Sequence, residues 1–242
     1  SFYTDISDVV RPGSNEMVVE LENFERASRW YPGAGIYRNV HVVNTDRIHI
    51  PVWGTYITTP MVSADNASVR LEMSIDGCRK GEKIDVITDI VSPDGITVSS
   101  NKAVYVAHGQ KFFQNFIVDR PMLWSPESPS VYTAKTRLLA DGREVDTYDT
   151  KFGIRKLEYI PEKGFFLNGK STKFKGVCNH HDLGPLGAAV NRSALRHQIE
   201  IMKNMGANAI RTSHNMPAPE LVELCDEMGV MLMVEPFDDW GY

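Results

Sequence analysis

Three side chains that could do chemistry follow one short apolar run in the stretch "NAIRTSHNMP", residues 208–217. Arg211 supplies a cation, Ser213 a hydroxyl and His214 an imidazole, and a proline closes the stretch. The small and apolar residues before them are typical of a buried strand. A parallel strand that ends in such groups would deliver them to the edge of the sheet where ligands bind.

Two further apolar runs, "KFKGVCN" and "VMLMVEP", also end in polar side chains. Donors and acceptors of this kind suit hydroxyl groups, and a tryptophan offers a flat apolar face, so the mixture matches a sugar or another polyol. Two alternatives stay open: structural hydrogen bonding, and a metal site built from the histidines and an aspartate. Adjacent side chains diverge on a strand, which disfavours the metal. The candidate binding residues are His180, His181, Asp182, Arg211, His214, Glu235, Asp239 and Trp240.

The elements that must position these residues lie in the last third of the chain, residues 156–242. A hairpin with Asn168-Gly169 at its turn comes first, because this pair tolerates positive φ at both positions. Two helices follow, "SALRHQIEIMKNMG" and "PELVELCDEMG", each placed between apolar strands. The helical period puts one apolar face on the first helix, formed by Leu195, Ile199, Met202 and Met205. The order β-α-β-α-β predicts a parallel sheet. A closed (β/α)₈ barrel takes roughly 250 residues, so if the sheet belongs to a barrel, about five of the strands are missing here.

The rest of the chain has a β pattern. About seven short strands separated by turn signals between residues 47 and 155 predict an immunoglobulin-like β-sandwich. In residues 1–46, "EMVVELEN" and "GIYRNVHVV" predict strands that cannot form a core alone and would belong to the end of a larger β-domain. The fold class is therefore multidomain, mainly β with an α/β part.

Composition narrows the function classes. The chain has 242 residues, 42% hydrophobic and 24% charged, with a net charge of −5. It has no basic stripe for a nucleic acid and no apolar run long enough for a membrane span. Three widely spaced cysteines support neither a zinc site nor a disulfide framework, and we interpret them as free thiols. The first residue is not a methionine, so we expect the chain to be cut from a longer protein.

Two long stretches resemble the first third of the catalytic barrel of glycoside hydrolase family 2, of β-galactosidase type: "FFLNGKSTKFKGVCNHHDLGPLG" and "IEIMKNMGANAIRTSHNMPAPELVELCDEMGVMLMVEPFDDW". "GIYRNVHVV" resembles the closing strands of the sugar-binding jelly roll in that family. "LWSPESPSVYT" and "FGIRKLEY" resemble the end of its immunoglobulin-like domain. The resemblance therefore covers three domains in the order of the family, at residues 1–46, 47–155 and 156–242.

The resemblance implies a retaining glycosidase that cleaves terminal β-galactosides with two glutamates, an acid/base preceded by Asn and a nucleophile. These glutamates follow the fourth and seventh barrel strands in the family, so we expect both of them after Tyr242, the last residue of this chain. The one Asn-Glu pair of this chain, Asn15-Glu16, precedes a β-domain strand. We therefore predict that neither catalytic glutamate belongs to this chain and that the chain alone is inactive.

The resemblance also implies roles for individual residues. His180 and His214 would contact sugar hydroxyls, and Arg211 would orient carboxylates. Glu235 would support these residues, although a paired structural carboxylate is an equally good interpretation. Asp239 stands where some β-galactosidases have an acidic magnesium ligand.

Other expectations concern cofactors, partners and location. Gly241 replaces the histidine that would complete the magnesium site. We therefore predict no cofactor, with magnesium left open for the intact enzyme. An open edge on the last strand predicts either a partner chain, as in a homo-oligomer, or a poorly ordered end. A β-glucuronidase, a β-mannosidase and a non-catalytic binding or interaction module are the alternative functions, and the expected location is periplasmic or secreted rather than cytoplasmic.

Overall fold

The computed structural model describes residues 2–22 and 35–236. The described part of the first 47 residues is mostly exposed and contains turns and bends but no strand. The strands predicted within 16–23 and 35–43 are therefore not formed in the described residues of these stretches. A strand needs a neighbour for its backbone hydrogen bonds, and none is paired with these stretches. That residues 1–46 belong to a jelly-roll domain stays a prediction.

The immunoglobulin-like sandwich is confirmed, with seven antiparallel strands in two sheets. One sheet has the order β1-β2-β5 and the other β4-β3-β6-β7. The strands are β1 Thr55–Val62, β2 Asn66–Met73, β3 Lys83–Val91, β4 Thr97–Val106, β5 Phe112–Asp119, β6 Val131–Ala140 and β7 Arg143–Gly153.

The core of the sandwich follows from the alternation along its strands. Every second residue of β2, β3 and β6 is buried, so apolar side chains of both sheets meet between them. A small polar group lies inside this core: Thr88 Oγ1 donates to Gln114 Oε1 at 2.7 Å and lies 2.9 Å from Thr136 Oγ1. Because its members are hydrogen-bonded to one another, burying them does not leave their side-chain oxygens without partners.

A three-stranded antiparallel sheet connects the sandwich to the barrel segment. It consists of β8 Leu157–Ile160, β9 Gly164–Leu167 and β10 Lys170–Ser171. Asn168 and Gly169 at the turn between β9 and β10 have φ angles of 51° and 78°. Both values are positive, as a type I′ turn requires, and they confirm the predicted turn.

The barrel segment has the predicted β-α-β-α-β order. Its strands are β11 Gly176–Asn179, β12 Ala209–Thr212 and β13 Met231–Val234, which form one parallel sheet in this order. Helix α1 Arg192–Asn204 joins the first two strands and α2 Pro219–Met228 joins the last two. The Asn191 side chain caps α1 by accepting from Ala194 N, and Pro219 occupies the first turn of α2.

The predicted apolar face of α1 is wrong for one of its four residues. Leu195, Ile199 and Met202 are buried against the sheet, but Met205 is 63% exposed. Met205 lies beyond the last helical residue and has the backbone angles of the C-cap, φ −82° and ψ 2°. The helical period therefore no longer determines the direction of its side chain.

The sandwich and the barrel segment interlock around Trp124, which is 2% exposed. Its indole Nε1 donates to the Asp226 carbonyl in α2 at 2.8 Å, and its own carbonyl accepts from Asn168 Nδ2 at 3.0 Å. Gly229 ends α2 in the left-handed conformation, φ 72°, directly against the Pro126 backbone. The corner of the sandwich thus fixes the end of α2 from which β13 begins.

Candidate functional site

The three strands of the barrel segment end level with one another. Asn179 is paired with Thr212, and Thr212 with Val234, so the next residues of all three strands emerge at one edge of the sheet. The Ser213 N–H donates to the Asn179 carbonyl at 3.0 Å and extends this alignment past the end of β12. The structure therefore brings the predicted strand ends to one edge.

Arg211, His214 and Glu235 form one cluster at this edge. Arg211 Nη2 lies 2.5 Å from Glu235 Oε1, and His214 Nδ1 lies 2.8 Å from Glu235 Oε2. The Glu235 backbone N–H donates to Thr212 Oγ1 at 3.0 Å, which fixes the start of this residue against β12. Each carboxylate oxygen thus has its own cationic or hydrogen-bonding partner.

The charges of the cluster are mutually stabilised. The hydrogen bond from His214, followed by the one from Arg211, holds the pKa of Glu235 below its ordinary value, so its carboxylate is ionised at neutral pH. Hydrogen bonding to Cys178, at 3.4 Å, and then to Glu235 raises the pKa of Arg211. A carboxylate only accepts hydrogen bonds, so we assign the proton on His214 Nδ1 to this contact.

The two histidines with predicted sugar contacts lie side by side. The ring centroids of His180 and His214 are 5.5 Å apart, with the rings almost perpendicular. Two imidazoles at this distance are close enough to bind hydroxyls of a single sugar ring.

His181 follows His180 at the same strand end, where Tyr37 stacks on it with ring centroids 5.7 Å apart. Burial, followed by the charge of Arg38, lowers the pKa of His181. A hydrogen bond with the side chain of Asn215 acts in the opposite direction. These residues line one cavity.

Of the remaining predicted residues, Asp182 lines the same cavity as His180 and His181, and the others lie outside the described ranges. Asp182 is near the same edge, but its Oδ1 accepts from Gly184 N at 2.8 Å in a local turn. Asp239, Trp240 and Tyr242 belong to the residues after 236, which the structure does not describe. That Asp239 and Trp240 bind the substrate therefore stays a prediction. The expectation that the catalytic glutamates follow Tyr242 also stays a prediction.

Tyr37 and Arg38 belong to the site although they were not among the predicted site residues. They stand in "GIYRNVHVV", the stretch that resembles the jelly roll, but nothing there points to this site, because they reach it from more than 140 positions away along the chain.

The metal alternative has no structural support in residues 2–22 and 35–236. No group of three or more His, Cys, Asp or Glu side chains in these ranges could hold a metal ion. Asp239, the residue that the magnesium expectation depends on, is outside them. Within the same ranges, no helix has the length and apolar character to cross a membrane.

Comparison with known proteins gives two family matches. The model "Glycosyl hydrolases family 2" matches residues 48–155, and "Glycosyl hydrolases family 2, TIM barrel domain" matches residues 159–237. The two matches correspond to the sandwich and to the hairpin with the barrel segment.

Curated relatives and solved structures agree with these matches. "Beta-galactosidase BoGH2A" of Bacteroides ovatus is 42% identical over 93% of this chain and 27% of its own length. A "Beta-glucuronidase" of Bacteroides fragilis is 28% identical over 98% of this chain and 36% of its own length. A crystal structure of a family 2 member from Bacteroides cellulosilyticus superposes with a TM-score of 0.82 at 37% identity, over 88% of this chain and 28% of that one.

The chain thus spans about a quarter to a third of the length of these relatives. Both family models match consecutive parts of it, and the fold described above is the fold of its structural neighbours. This chain belongs to glycosyl hydrolase family 2, with the immunoglobulin-like domain of the family followed by the start of its TIM barrel.

Proposed function

We propose that this chain forms the substrate-positioning part of a retaining glycosidase that cleaves terminal β-galactosides. The observation that carries the proposal is the cluster of Arg211, His214 and Glu235 beside His180, at the level ends of three parallel strands. Ligands of parallel α/β barrels bind at this edge.

The cluster has a specific chemical consequence for sugar binding. Glu235 engages Nδ1 of His214 and so fixes the orientation of the ring. Nε2 is then the atom through which His214 would meet a sugar hydroxyl. Such preorganised contacts tighten as the sugar ring distorts toward an oxocarbenium-like transition state. They accelerate the reaction only to the extent that they bind the transition state more tightly than the bound substrate.

We propose that the catalytic acid/base and nucleophile are not among the residues of this chain. Glu235 is tied to Arg211 and His214, so its carboxylate supports these side chains instead of reacting. Asn15, of the one Asn-Glu pair, bonds to the Arg11 backbone in an exposed local turn. Retaining enzymes need two free carboxyl groups about 5–5.5 Å apart across the scissile bond, whereas both oxygens of Glu235 are already engaged by Arg211 and His214.

A neutral sugar is favoured over a uronic acid. The Arg211 charge is already matched by Glu235 at 2.5 Å and is therefore not available to bind a sugar carboxylate. The name of the Bacteroides ovatus relative, which is 42% identical, also supports a galactoside. The names of other relatives make a β-glucuronide the main competing substrate.

The test is hydrolysis by the full-length protein that carries this sequence. We expect release of nitrophenol from 4-nitrophenyl β-D-galactopyranoside with a higher kcat/KM than from the matching β-glucuronide or β-mannoside. His180→Ala and His214→Ala should each lower kcat/KM by about 10²–10³-fold, as for the loss of one preorganised donor. His197→Ala is the matched control, because His197 lies on the outer face of α1 with 74% of its side chain exposed.

Three results would count against the proposal. Preference for the glucuronide would make the protein a β-glucuronidase. A full-length protein inactive on every aryl β-glycoside would favour a non-catalytic binding module. Turnover by the 242-residue chain alone, abolished by Glu235→Gln, would show that this residue itself is catalytic.

A further inference from the structure

The segment that precedes the sandwich contacts the candidate site directly. Arg38 Nη1 donates to the Pro217 carbonyl at 3.3 Å, and its Nη2 donates to the carbonyl of Met216. Both carbonyls belong to the loop that follows His214 and Asn215. One guanidinium thus holds two consecutive carbonyls, and its planar fork of donors suits this geometry.

Two more contacts fix the same segment on the barrel. The Tyr37 carbonyl accepts from Val190 N at 3.2 Å, ahead of α1, and Asn39 Nδ2 donates to Glu220 Oε1 at 2.5 Å in the first turn of α2. The Arg38 guanidinium carbon lies 5.3 Å from the centre of the Tyr37 ring. The segment is therefore held at several points, and Arg38 is at their centre.

The contacts extend from Arg38 to His181. Tyr37 stacks on the His181 ring, and the His181 side chain hydrogen-bonds to Asn215, in the loop that Arg38 holds. Tyr37 and Arg38 line the same cavity as His180, His181 and Asn215. Two adjacent residues of one segment thus hold the loop and the imidazole: Arg38 holds the loop, and Tyr37 packs on the His181 ring.

We infer that Arg38 is a positioning residue of the sugar site, which it serves by holding the loop 215–217 and, through Tyr37, the ring of His181. This inference rests on the proposed function for its kinetic consequence. Both Nη atoms of Arg38 are engaged by carbonyls of this loop, so removal of the side chain lets the loop after His214 shift. A displacement of about 1 Å at an active site can cost about 10²-fold in rate.

The kinetic test uses the full-length protein with 4-nitrophenyl β-D-galactopyranoside. We expect Arg38→Gln to raise KM and to lower kcat/KM by about 10–100-fold. Arg38→Lys should recover only part of the loss, because an ammonium cannot present a fork to two carbonyls. Arg137→Gln, at an exposed arginine of β6, is the matched control and should leave both constants unchanged.

A second readout does not depend on activity. The charged groups Arg38 and His180 oppose the protonation of His181, whereas Asp182 and the hydrogen bond between His181 and the side chain of Asn215 favour it. In an NMR titration of the 242-residue chain, Arg38→Gln should raise the pKa of His181 toward 6.5, and Arg38→Lys should leave it close to the parent value.

The outcomes separate the two proposals. If the full-length protein hydrolyses no β-glycoside, the proposed function fails while the titration still decides the role of Arg38. An unchanged pKa of His181 in Arg38→Gln would overturn the inference. The inference would also fail if Arg38→Gln kept the KM of the parent protein and lost activity only in proportion to its unfolded fraction. If Arg38→Gln does not fold, Arg38→Lys and Tyr37→Leu decide, and a parent KM in both would contradict it.

Discussion

Gly229 offers a direct test of how the sandwich positions the barrel segment. It ends α2 with φ 72°, and β13, which leads to Glu235, begins two residues later. A Cβ built on Gly229 would lie 2.9 Å from the carbonyl carbon of Pro126 and closer still to its oxygen. These are backbone atoms of the sandwich corner, so they cannot rotate away, and Gly229→Ala must move one domain against the other.

Gly206 is the matched control. It follows α1 with φ 93°, and a Cβ built there meets nothing within 4 Å. A non-glycine residue in the left-handed region costs about 1–2 kcal/mol at either position. Overpacking adds about 1–3 kcal/mol at Gly229 alone, so we expect Gly206→Ala to cost about 1–2 kcal/mol and Gly229→Ala about 2–5 kcal/mol of the free energy of unfolding.

The assay is urea unfolding followed by circular dichroism, together with hydrogen exchange of peptides covering residues 219–234. Hydrogen exchange reports the local opening free energy even when the two domains do not unfold together. Gly229→Ala should lose protection in these peptides, and Gly206→Ala should lose much less there. Equal losses in both variants would refute the close contact between the sandwich corner and the end of α2.

Three further results are expected. Trp124→Phe should lower the free energy of unfolding by about 1–3 kcal/mol in urea, because the Asp226 carbonyl loses its buried donor. Iodoacetamide at pH 8 should alkylate exposed Cys178, and mass spectrometry should find Cys225 unmodified, because burial raises the pKa of Cys225 to about 12; rapid labelling of Cys225 would contradict this packing. Glu235→Gln should lower the melting temperature at pH 7 but not at a pH below the folded pKa of Glu235, because the lowered pKa makes its ionised form stabilising above the ordinary value of 4.5, and this contribution is lost as the pH falls through the folded value. An equal loss at both pH values would show that charge plays no part in this effect.

Much of the fold is predictable because it depends on local patterns. The alternation in β2, β3 and β6 gives the sandwich, and the turn at Asn168 and Gly169 needs only the positive φ that these residues tolerate. The alignment of Arg211, His214 and Glu235 follows from the rule that parallel strands end at one edge.

Long-range contacts limit the prediction. Tyr37 lies 144 positions from His181, and no periodicity or motif connects them. The segment around Tyr37 has a composition that favours a strand. A strand also needs a second segment to pair with, and no such partner segment is present among the described residues. Met205 shows that a local pattern can also fail. The apolar helical period continues to Met205, but helix α1 already ends at Asn204.

A crystal structure of the full-length protein with galactose bound is the most direct test of the proposed site. Nitrogen atoms of His180 and His214 should both lie within about 3.2 Å of hydroxyls of one sugar, with Glu235 still bonded to Arg211 and His214. A galactose that binds at another edge of the barrel, or that contacts neither imidazole, would contradict the proposal that these strand ends form the substrate site.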